Sequence, residues 1–454
     1  MTGPAALSAN ETAAAIKTGK RRAVDVAQET LTRIARLDPL VKAFTRVLTE
    51  DALRDAVEVD ARLARGEDPG LFAGVPFAVK DLFDVKGQTT TAGSSILESD
   101  PPASYDAGAV QRLRAAGAVL VGTLNMDEFA YGFVTENSHF GTTFNPHDVQ
   151  RFAGGSSGGS AASVAAGMVA LTLGTDTNGS VRVPSSLCGV FGLRPTHGTI
   201  PVDGTFPFID RLDTVGPFAR TVADLRAAFG VLSGTFTETG KHQEIRAARL
   251  GGWFRDGADA EGLAGLDAVA AALGANNLID LPLASLGRSA GFLITAFEGG
   301  RRHLENLKIR QMDFDPATRD RLIAGALLPE DVLPDAERAA DRFIAEFEAV
   351  FETFDVLIAP ATPSPAPLIS EGTILMNGRA VPARANLGLY AQPISLAGVP
   401  VLTVPLMRPG KLPFGIQLVA ARGREALLFD VADRLVAAGL AGFSWPQLAH
   451  GAPA

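Results

Sequence analysis

The chain has 454 residues, of which 46% are hydrophobic and 20% charged, and its formal charge at pH 7 is −9. This length can bury a large core, and the apolar content excludes a disordered chain. The single cysteine, Cys188, excludes a disulfide framework and a multi-thiolate metal site. The negative charge argues against a basic nucleic-acid surface or a polybasic membrane anchor, so we predict neither nucleic acid nor membrane as a direct partner. An anionic ligand would need a local group of cations.

Residues 1–70 are predicted to form helices that pack on the main body. Ser8 and Glu11 have capping-box spacing, and Gly19 stands where a helix should end. The first residues contain no apolar core after a basic region, so no secretory signal is expected and the cytoplasm is the predicted location.

From residue 71 the pattern changes to short apolar runs separated by glycines and polar turns. Strand patterns alternate with helical ones over residues 71–222, which favours an α/β sheet buried on both faces. Residues 223–350 are predicted to be mostly helical, and residues 351–454 to add strands and a closing helix. No repeat or long linker divides the chain, so we predict a single domain over residues 1–454.

Lys80 ends the apolar run GVPFAVK and is the first residue with unusual chemistry. On this motif alone, a lysine just past a strand end that pairs with Asp81 or Asp84 is the simpler interpretation. A buried lysine, however, has a lowered pKa and can accept a proton near pH 7.

The segment GGSSGGS, residues 154–160, lies near the start of an uncharged stretch that extends over residues 152–175. Glycines let the backbone approach a ligand closely, so this loop can hold serine hydroxyls in a tight space. A nucleophile elbow is disfavoured because no apolar strand precedes the loop, and a phosphate-binding loop because no Lys-Ser or Lys-Thr follows the glycines. A flexible linker is the remaining alternative. A membrane span is disfavoured because the stretch is rich in Gly and Ser, and a loop followed by a buried helix and strand is predicted.

The segment TDTNGS, residues 175–180, places Ser180 at the end of a polar turn that follows an apolar run. Successive backbone N–H groups in such a turn can converge on an oxyanion. A serine nucleophile needs a base, and the six histidines are scattered without an HExxH motif. No metal site is therefore predicted.

Together, GVPFAVKD, GGSSGGS and TDTNGSVRVPSSLCGVFGLRP resemble the amidase signature family in order and spacing, including the interval from Ser156 to Ser180. The resemblance continues through NMDEFAYGFVTENSHFGTTFNP, LDTVGPFARTVADL, DVLIAPATPSPAP and LPFGIQLVA, over more than half the chain. It implies an α/β fold with a large central mixed β-sheet covered by helices on both faces. We call residues 71–222 the signature core.

The resemblance also implies roles for individual residues. Ser180 would be the acyl nucleophile, Ser156 a bridging serine after a cis peptide bond at Gly155, and Lys80 the final base. The backbone N–H groups of Thr177, Asn178, Gly179 and Ser180 would hold the oxyanion, and no cofactor or metal is implied. Asp176 and Arg182 flank the turn and are expected to brace it as a pair, with a solvated surface role as the alternative.

Two positions depart from the family pattern. Asn178 stands where glycine is usual, which an asparagine could tolerate in a left-handed conformation, and its amide could contact the substrate. Arg211 stands where a small serine is common and is the first cation predicted to bind an anionic substrate; a surface salt bridge is the alternative. Tyr131 is a predicted pocket residue, with a plain core aromatic as the alternative, and Arg301 is a weaker acid-binding residue.

The resemblance implies hydrolysis of a small linear amide, and within the family it is greatest to the 1-carboxybiuret hydrolases, whose substrate is anionic. The glutaminase subunit of a tRNA-dependent amidotransferase is the main alternative, and a scaffold without activity is the last. Both catalytic interpretations imply an oligomer with a small helical accessory subunit.

Overall fold

The structure is a computed structural model that describes residues 7–238, 240 and 244–450. The two ends of the predicted domain, residues 1–6 and 451–454, lie outside the described residues. The α-helices are α1 Ala9–Lys17, α2 Ala23–Val41, α3 Thr49–Ala64, α4 Gly108–Ala115, α5 Gly158–Ala165, α6 Arg182–Cys188, α7 Val222–Ser233, α8 Ala260–Ala272, α9 Ala284–Arg302, α10 Leu304–Arg310, α11 Pro316–Ala326, α12 Val332–Val350, α13 Ala383–Asn386, α14 Gln392–Leu396 and α15 Glu425–Ala437.

The strands divide between one large sheet and three small two-stranded ones. They are β1 Phe44–Val47, β2 Pro76–Lys80, β3 Val119–Leu124, β4 Glu136–Asn137, β5 Gly141–Thr142, β6 Phe144–Asn145, β7 Asp148–Phe152, β8 Leu171–Thr175, β9 Phe191–Arg194, β10 Val215–Ala219, β11 Ala247–Leu250, β12 Leu278–Ile279, β13 Val356–Pro360, β14 Thr373–Met376, β15 Arg379–Pro382, β16 Val401–Pro405 and β17 Gly415–Ala420.

The large sheet has eleven strands in the order β1-β3-β2-β8-β10-β9-β16-β17-β13-β11-β12. It is mixed: β2 is parallel to both β3 and β8, whereas β10 runs antiparallel to β8 and β9. Because β2 and β8 are parallel neighbours, their carboxyl ends meet at the same edge of the sheet. The segments that follow these two strands are therefore brought together by the topology.

The two faces of the sheet are buried against different sets of helices, which follows from the alternation of side chains along a strand. In β2, Phe77 and Val79 belong to one hydrophobic cluster with residues of α4 and α7, whereas Ala78 belongs to a second cluster with residues of α2, α3 and α5. The prediction of an α/β fold with a mixed sheet covered on both faces is confirmed.

The sheet also contains strands that the sequence patterns did not predict. The N-terminal segment, expected to be helical, contributes edge strand β1, and the helical region 223–350 contributes β11 and β12 at the opposite edge. These strands are two to four residues long, too short to show a clear period in the sequence. The capping box of Ser8 and Glu11 does form at the start of α1. Within the described residues, none of the helices is both long enough and apolar enough to cross a bilayer.

Candidate active site

Lys80 is the last residue of β2, and its side chain is completely buried at the carboxyl edge of the sheet. Its Nζ donates to Ser156 Oγ at 2.7 Å and to Thr175 Oγ1, at the end of β8, at 3.1 Å. Burial lowers the pKa of Lys80 to about 7, although three nearby carboxylates, the first of them Asp127, act to raise it. About half of the Lys80 amine is therefore neutral at pH 7, and this form can act as a base.

Ser156 lies in the glycine loop between β7 and α5, and the Gly155–Ser156 peptide bond is cis. The segment that follows β3 forms hydrogen bonds with this loop. The Ser156 carbonyl accepts from the N–H of Asp127 and from Thr135 Oγ1, both at 3.3 Å. A Cβ at position 155 would collide with the Asp127 carboxylate, so only glycine fits there. The glycine loop is therefore buried and fixed in the core. Helix α5 begins two residues after Ser156.

The other serines of this segment complete its hydrogen bonding. Ser157 Oγ donates to the Thr175 carbonyl at 3.1 Å, Ser160 Oγ to the Leu173 carbonyl at 3.0 Å, and Ser163 Oγ to the Ser160 carbonyl at 3.1 Å. The first two bonds join the start of α5 to β8, the strand that leads to Ser180, whereas the third lies within α5.

Ser180 lies in the turn between β8 and α6, where Asp176 organises the backbone. The Asp176 carboxylate accepts from the N–H groups of Gly179 at 2.8 Å and Val181 at 3.1 Å. Gly179 has a φ of 125°, and a Cβ there would press against Ala391. The left-handed conformation of the turn therefore falls on Gly179, and Asn178 does not adopt a positive φ.

The four predicted oxyanion donors are not equivalent. The Gly179 N–H is committed to Asp176, because the carboxylate needs donors in a buried site. For the N–H groups of Thr177, Asn178 and Ser180, the described residues supply no acceptor. These three donors remain available to a ligand, and Gly179 is better understood as the hinge of the turn.

Asp176 is itself fixed by two buried arginines. Its carboxylate contacts Arg182 Nη2 at 2.9 Å and Arg194 Nη1 at 3.1 Å, with all three side chains fully buried. Burial alone would raise the pKa of Asp176, but the two guanidinium groups hold it well below its usual range. The predicted pairing of Asp176 with Arg182 is confirmed, and its solvated alternative is wrong because neither side chain reaches the surface.

A small pocket opens beside Ser180. Its walls come from three parts of the chain: the signature core, helices α9 and α11, and the start of α14. The lining residues are Ala130, Tyr131, Gly132, Phe133, Thr177, Asn178, Ser180, Phe208, Phe292, Thr295, Arg321 and Gln392.

Tyr131 and Arg321 form one wall of this pocket together. The Arg321 guanidinium lies 3.7 Å from the centroid of the Tyr131 ring, and its Nη1 donates to the Tyr131 carbonyl at 2.9 Å. Within the described part of the chain, no carboxylate lies within ion-pair distance of Arg321. A cation without an acidic partner is therefore presented to whatever fills the pocket.

The two cations expected to bind substrate lie elsewhere. Arg211 is at the surface, where it pairs with Glu298 at 2.7 Å and Glu337 at 2.6 Å. Arg301 is also exposed; its guanidinium lies over the Phe297 ring. The structure does not bring either residue to the pocket: Arg211 is paired with two glutamates, and Arg301 lies at the surface beside Phe297.

Arg321 was not among the predicted site residues, although the sequence contains a signal for it. Helix α11 buries Thr318, Leu322 and Gly325, and Arg321 falls on the same stripe at helical spacing. An arginine on the buried stripe of a helix is the pattern that could have identified it. Gln392 offered no comparable signal. Among the described residues, no group of His, Cys, Asp and Glu side chains is arranged to hold a metal ion.

Comparison with known proteins places this geometry in a family. The chain matches the Amidase family over residues 25–250 and 291–429. It is 46% identical to AtzE, a 1-carboxybiuret hydrolase subunit of Pseudomonas sp. (strain ADP), over 94% of this chain and 97% of that protein. It is 36% identical to a glutamyl-tRNA(Gln) amidotransferase subunit of Carboxydothermus hydrogenoformans (strain ATCC BAA-161 / DSM 6008 / Z-2901), over 94% of this chain and 96% of that one.

A solved structure has the same fold. It belongs to a vestigial protein complex described as revealing the evolutionary origins of an s-triazine catabolic enzyme, and it superposes with a TM-score of 0.93 at 44% identity. The match covers 96% of this chain and 100% of that one. The protein therefore belongs to the amidase signature family and is an enzyme that hydrolyses carbon–nitrogen bonds of linear amides.

Proposed function

We propose that the protein hydrolyses a small anionic amide through an acyl-enzyme on Ser180, with Ser156 and Lys80 relaying the proton. The observation that carries this proposal is the buried contact of 2.7 Å between Lys80 Nζ and Ser156 Oγ. A lysine with a pKa of about 7 is a competent base at neutral pH, and it is held against the hydroxyl that needs one.

In this mechanism the neutral amine of Lys80 takes the proton of Ser156 as Ser156 takes that of Ser180. Ser180 Oγ attacks the amide carbonyl, and the free N–H groups of the turn stabilise the oxyanion. The proton then returns to the departing nitrogen, which leaves as ammonia. Water attacks the acyl-enzyme by the same route and restores Ser180.

Arg321 supports an anionic substrate. It is the charged group in the pocket lining and has no acidic partner among the described residues, so a substrate carboxylate would complete its ion pair. The relative of 46% identity is named for hydrolysis of 1-carboxybiuret, which carries such a carboxylate. We therefore propose the deamination of 1-carboxybiuret to urea-1,3-dicarboxylate and ammonia.

A glutaminase activity is the second candidate, supported by relatives named as subunits of glutamyl-tRNA(Gln) amidotransferases. Glutamine carries an ammonium group as well as a carboxylate, and a buried ammonium needs a carboxylate partner. The described lining of the pocket contains Arg321 and no acidic side chain. This charge pattern favours a purely anionic substrate over glutamine.

The test is ammonia release from 1-carboxybiuret, biuret, allophanate, malonamate and glutamine, with the Lys80→Ala variant as control. We expect the highest kcat/KM for 1-carboxybiuret and background release from the variant. Activity on glutamine above that on 1-carboxybiuret would favour the second candidate. Full activity of a folded Lys80→Ala variant would contradict the mechanism.

We also propose that the enzyme works in an oligomer with a small helical accessory subunit. A structural neighbour was solved as part of a protein complex, and relatives are subunits of amidotransferases. Copurification from the native host followed by light scattering would test this, because a monomer of 47.3 kDa without a second chain would contradict it.

A further inference from the structure

Asn178 carries a buried polar atom that has no partner. Its side chain is 6% exposed, and its Nδ2 donates to Thr295 Oγ1 on α9 at 2.8 Å. This bond fixes the plane of the amide and leaves Oδ1 buried without a hydrogen bond from any described residue. Asn178 lines the same pocket as Ser180, which lies two residues further along the turn.

Gln392 places a second buried amide oxygen on another wall of the pocket. It is the first residue of α14, is 4% exposed, and also lines the pocket. Its Oε1 is buried and likewise unpartnered within the described part of the chain. Buried acceptors are almost always satisfied, so two in one small pocket indicate that a ligand supplies the donors.

The pocket therefore has two kinds of polar feature with opposite requirements. Arg321 requires an acceptor, which a carboxylate provides, whereas the two amide oxygens require N–H donors. A ligand that meets both has a carboxylate at one end and N–H groups along its length. A purely aliphatic chain between carboxylate and amide would leave both oxygens unpaired.

We infer that Asn178 is a specificity-determining residue whose Oδ1 accepts a hydrogen bond from an N–H next to the scissile carbonyl, with Gln392 as a second acceptor. This inference rests on the proposed function and narrows it to ureido substrates, in which the carbonyl is flanked by nitrogen. Aliphatic amides of the same length are rejected because they desolvate the amide oxygens without pairing them.

The test compares two ligands that differ by one group. N-carbamoyl-β-alanine and glutaramate have the same number of heavy atoms between carboxylate and carbonyl, but the first has N–H where the second has CH₂ beside the carbonyl. Their Kd values are measured by calorimetry on the full chain carrying Ser180→Ala, which prevents turnover. We expect N-carbamoyl-β-alanine to bind about 10–100-fold more tightly.

Two further variants separate recognition from folding. Asn178→Gly, added to the same background, should reduce the preference to less than about threefold, because it removes the acceptor. Asn178→Asp keeps an acceptor oxygen in place, so it should retain the preference even though its charge weakens the binding of both anions. Arg211→Ala, a surface change, should leave the preference unaltered.

Equal binding of the two ligands by the Ser180→Ala protein would overturn this inference, since it would mean that water alone donates a hydrogen bond to Asn178 Oδ1. The proposed function would then still stand. A preference unchanged in Asn178→Gly would also overturn it. Failure of the parent to bind either ligand would contradict both the inference and the proposed anionic substrate class.

Discussion

The signature core and the helical region 223–350 contribute to one pocket in different ways. The signature core supplies the three residues of the proposed mechanism: Lys80 at the end of β2, Ser156 in the glycine loop and Ser180 in the turn after β8. The helical region supplies Phe292, Thr295 and Arg321 from the faces of α9 and α11. If the proposed function is correct, the segments at the sheet edge carry out the reaction and the helices select the substrate, so the two effects should be separable by mutation.

The largest effect is expected from Ser180→Ala in the signature core. Loss of the nucleophile should lower kcat/KM by about 10⁴-fold or more. Binding of N-carbamoyl-β-alanine should be retained, because Arg321 and the pocket walls are unchanged. Calorimetry beside an ammonia assay checks both points, and residual activity within tenfold of the parent would show that another group is the nucleophile.

Asp176→Asn tests the stability of the same region. The change leaves Arg182 and Arg194 buried with no charge to balance them, which should lower the free energy of unfolding by about 3–5 kcal/mol. Urea denaturation measures this. Arg211→Ala is the matched control, since its exposed pairs with Glu298 and Glu337 contribute about 1 kcal/mol or less. Similar losses for the two variants would remove the distinction between core and surface ion pairs.

Arg321→Met tests the helical region. Loss of the cation should lower kcat/KM for anionic amides by about 10²–10³-fold. Turnover of a neutral amide such as propionamide should change by less than about threefold, because the reactive groups lie on the sheet. If both substrates lost activity equally, Arg321 would be supporting the site rather than selecting the substrate.

The pH dependence of kcat/KM tests the role of Lys80. Since the neutral amine is the base, protonation below its pKa of about 7 removes activity, and kcat/KM should fall about tenfold per pH unit there. Above this pKa the amine is already neutral and the profile should level off. Steady-state rates from about pH 5.5 to 9, with circular dichroism to monitor folding, measure this. A profile that is flat below pH 7 would contradict the assignment of Lys80 as the base.

The residues proposed to be reactive could be selected from the sequence because they lie in contiguous motifs. Lys80, Ser156 and Ser180 each sit in a segment whose glycines and apolar flanks have a local structural reason, such as the close approach of Asp127 to Gly155. Residues that bind substrate carry no such local signature. Arg211 departs from a motif, but its neighbours in space are two glutamates. Arg321 departs from no motif, and only the packing of α11 places it against Tyr131.

Short-range patterns of glycine, serine and apolar residues were enough to predict the family and the mixed α/β sheet. The same patterns led to the proposal that Lys80, Ser156 and Ser180 are the reactive groups. Only the folded chain shows that Arg321 lines the pocket and that the Gly179 N–H is bonded to Asp176. It also shows that Asn178 and Gln392 have side-chain oxygens beside Ser180 with no hydrogen bond from the described residues. The physical reason is that a side chain's partners are set by segments more than a hundred residues away, as between Asn178 and Thr295. The uncharged stretch of residues 152–175 is visible in the sequence and explained by the fold. It lacks charges because it forms the buried loop, helix and strand between Ser156 and Ser180.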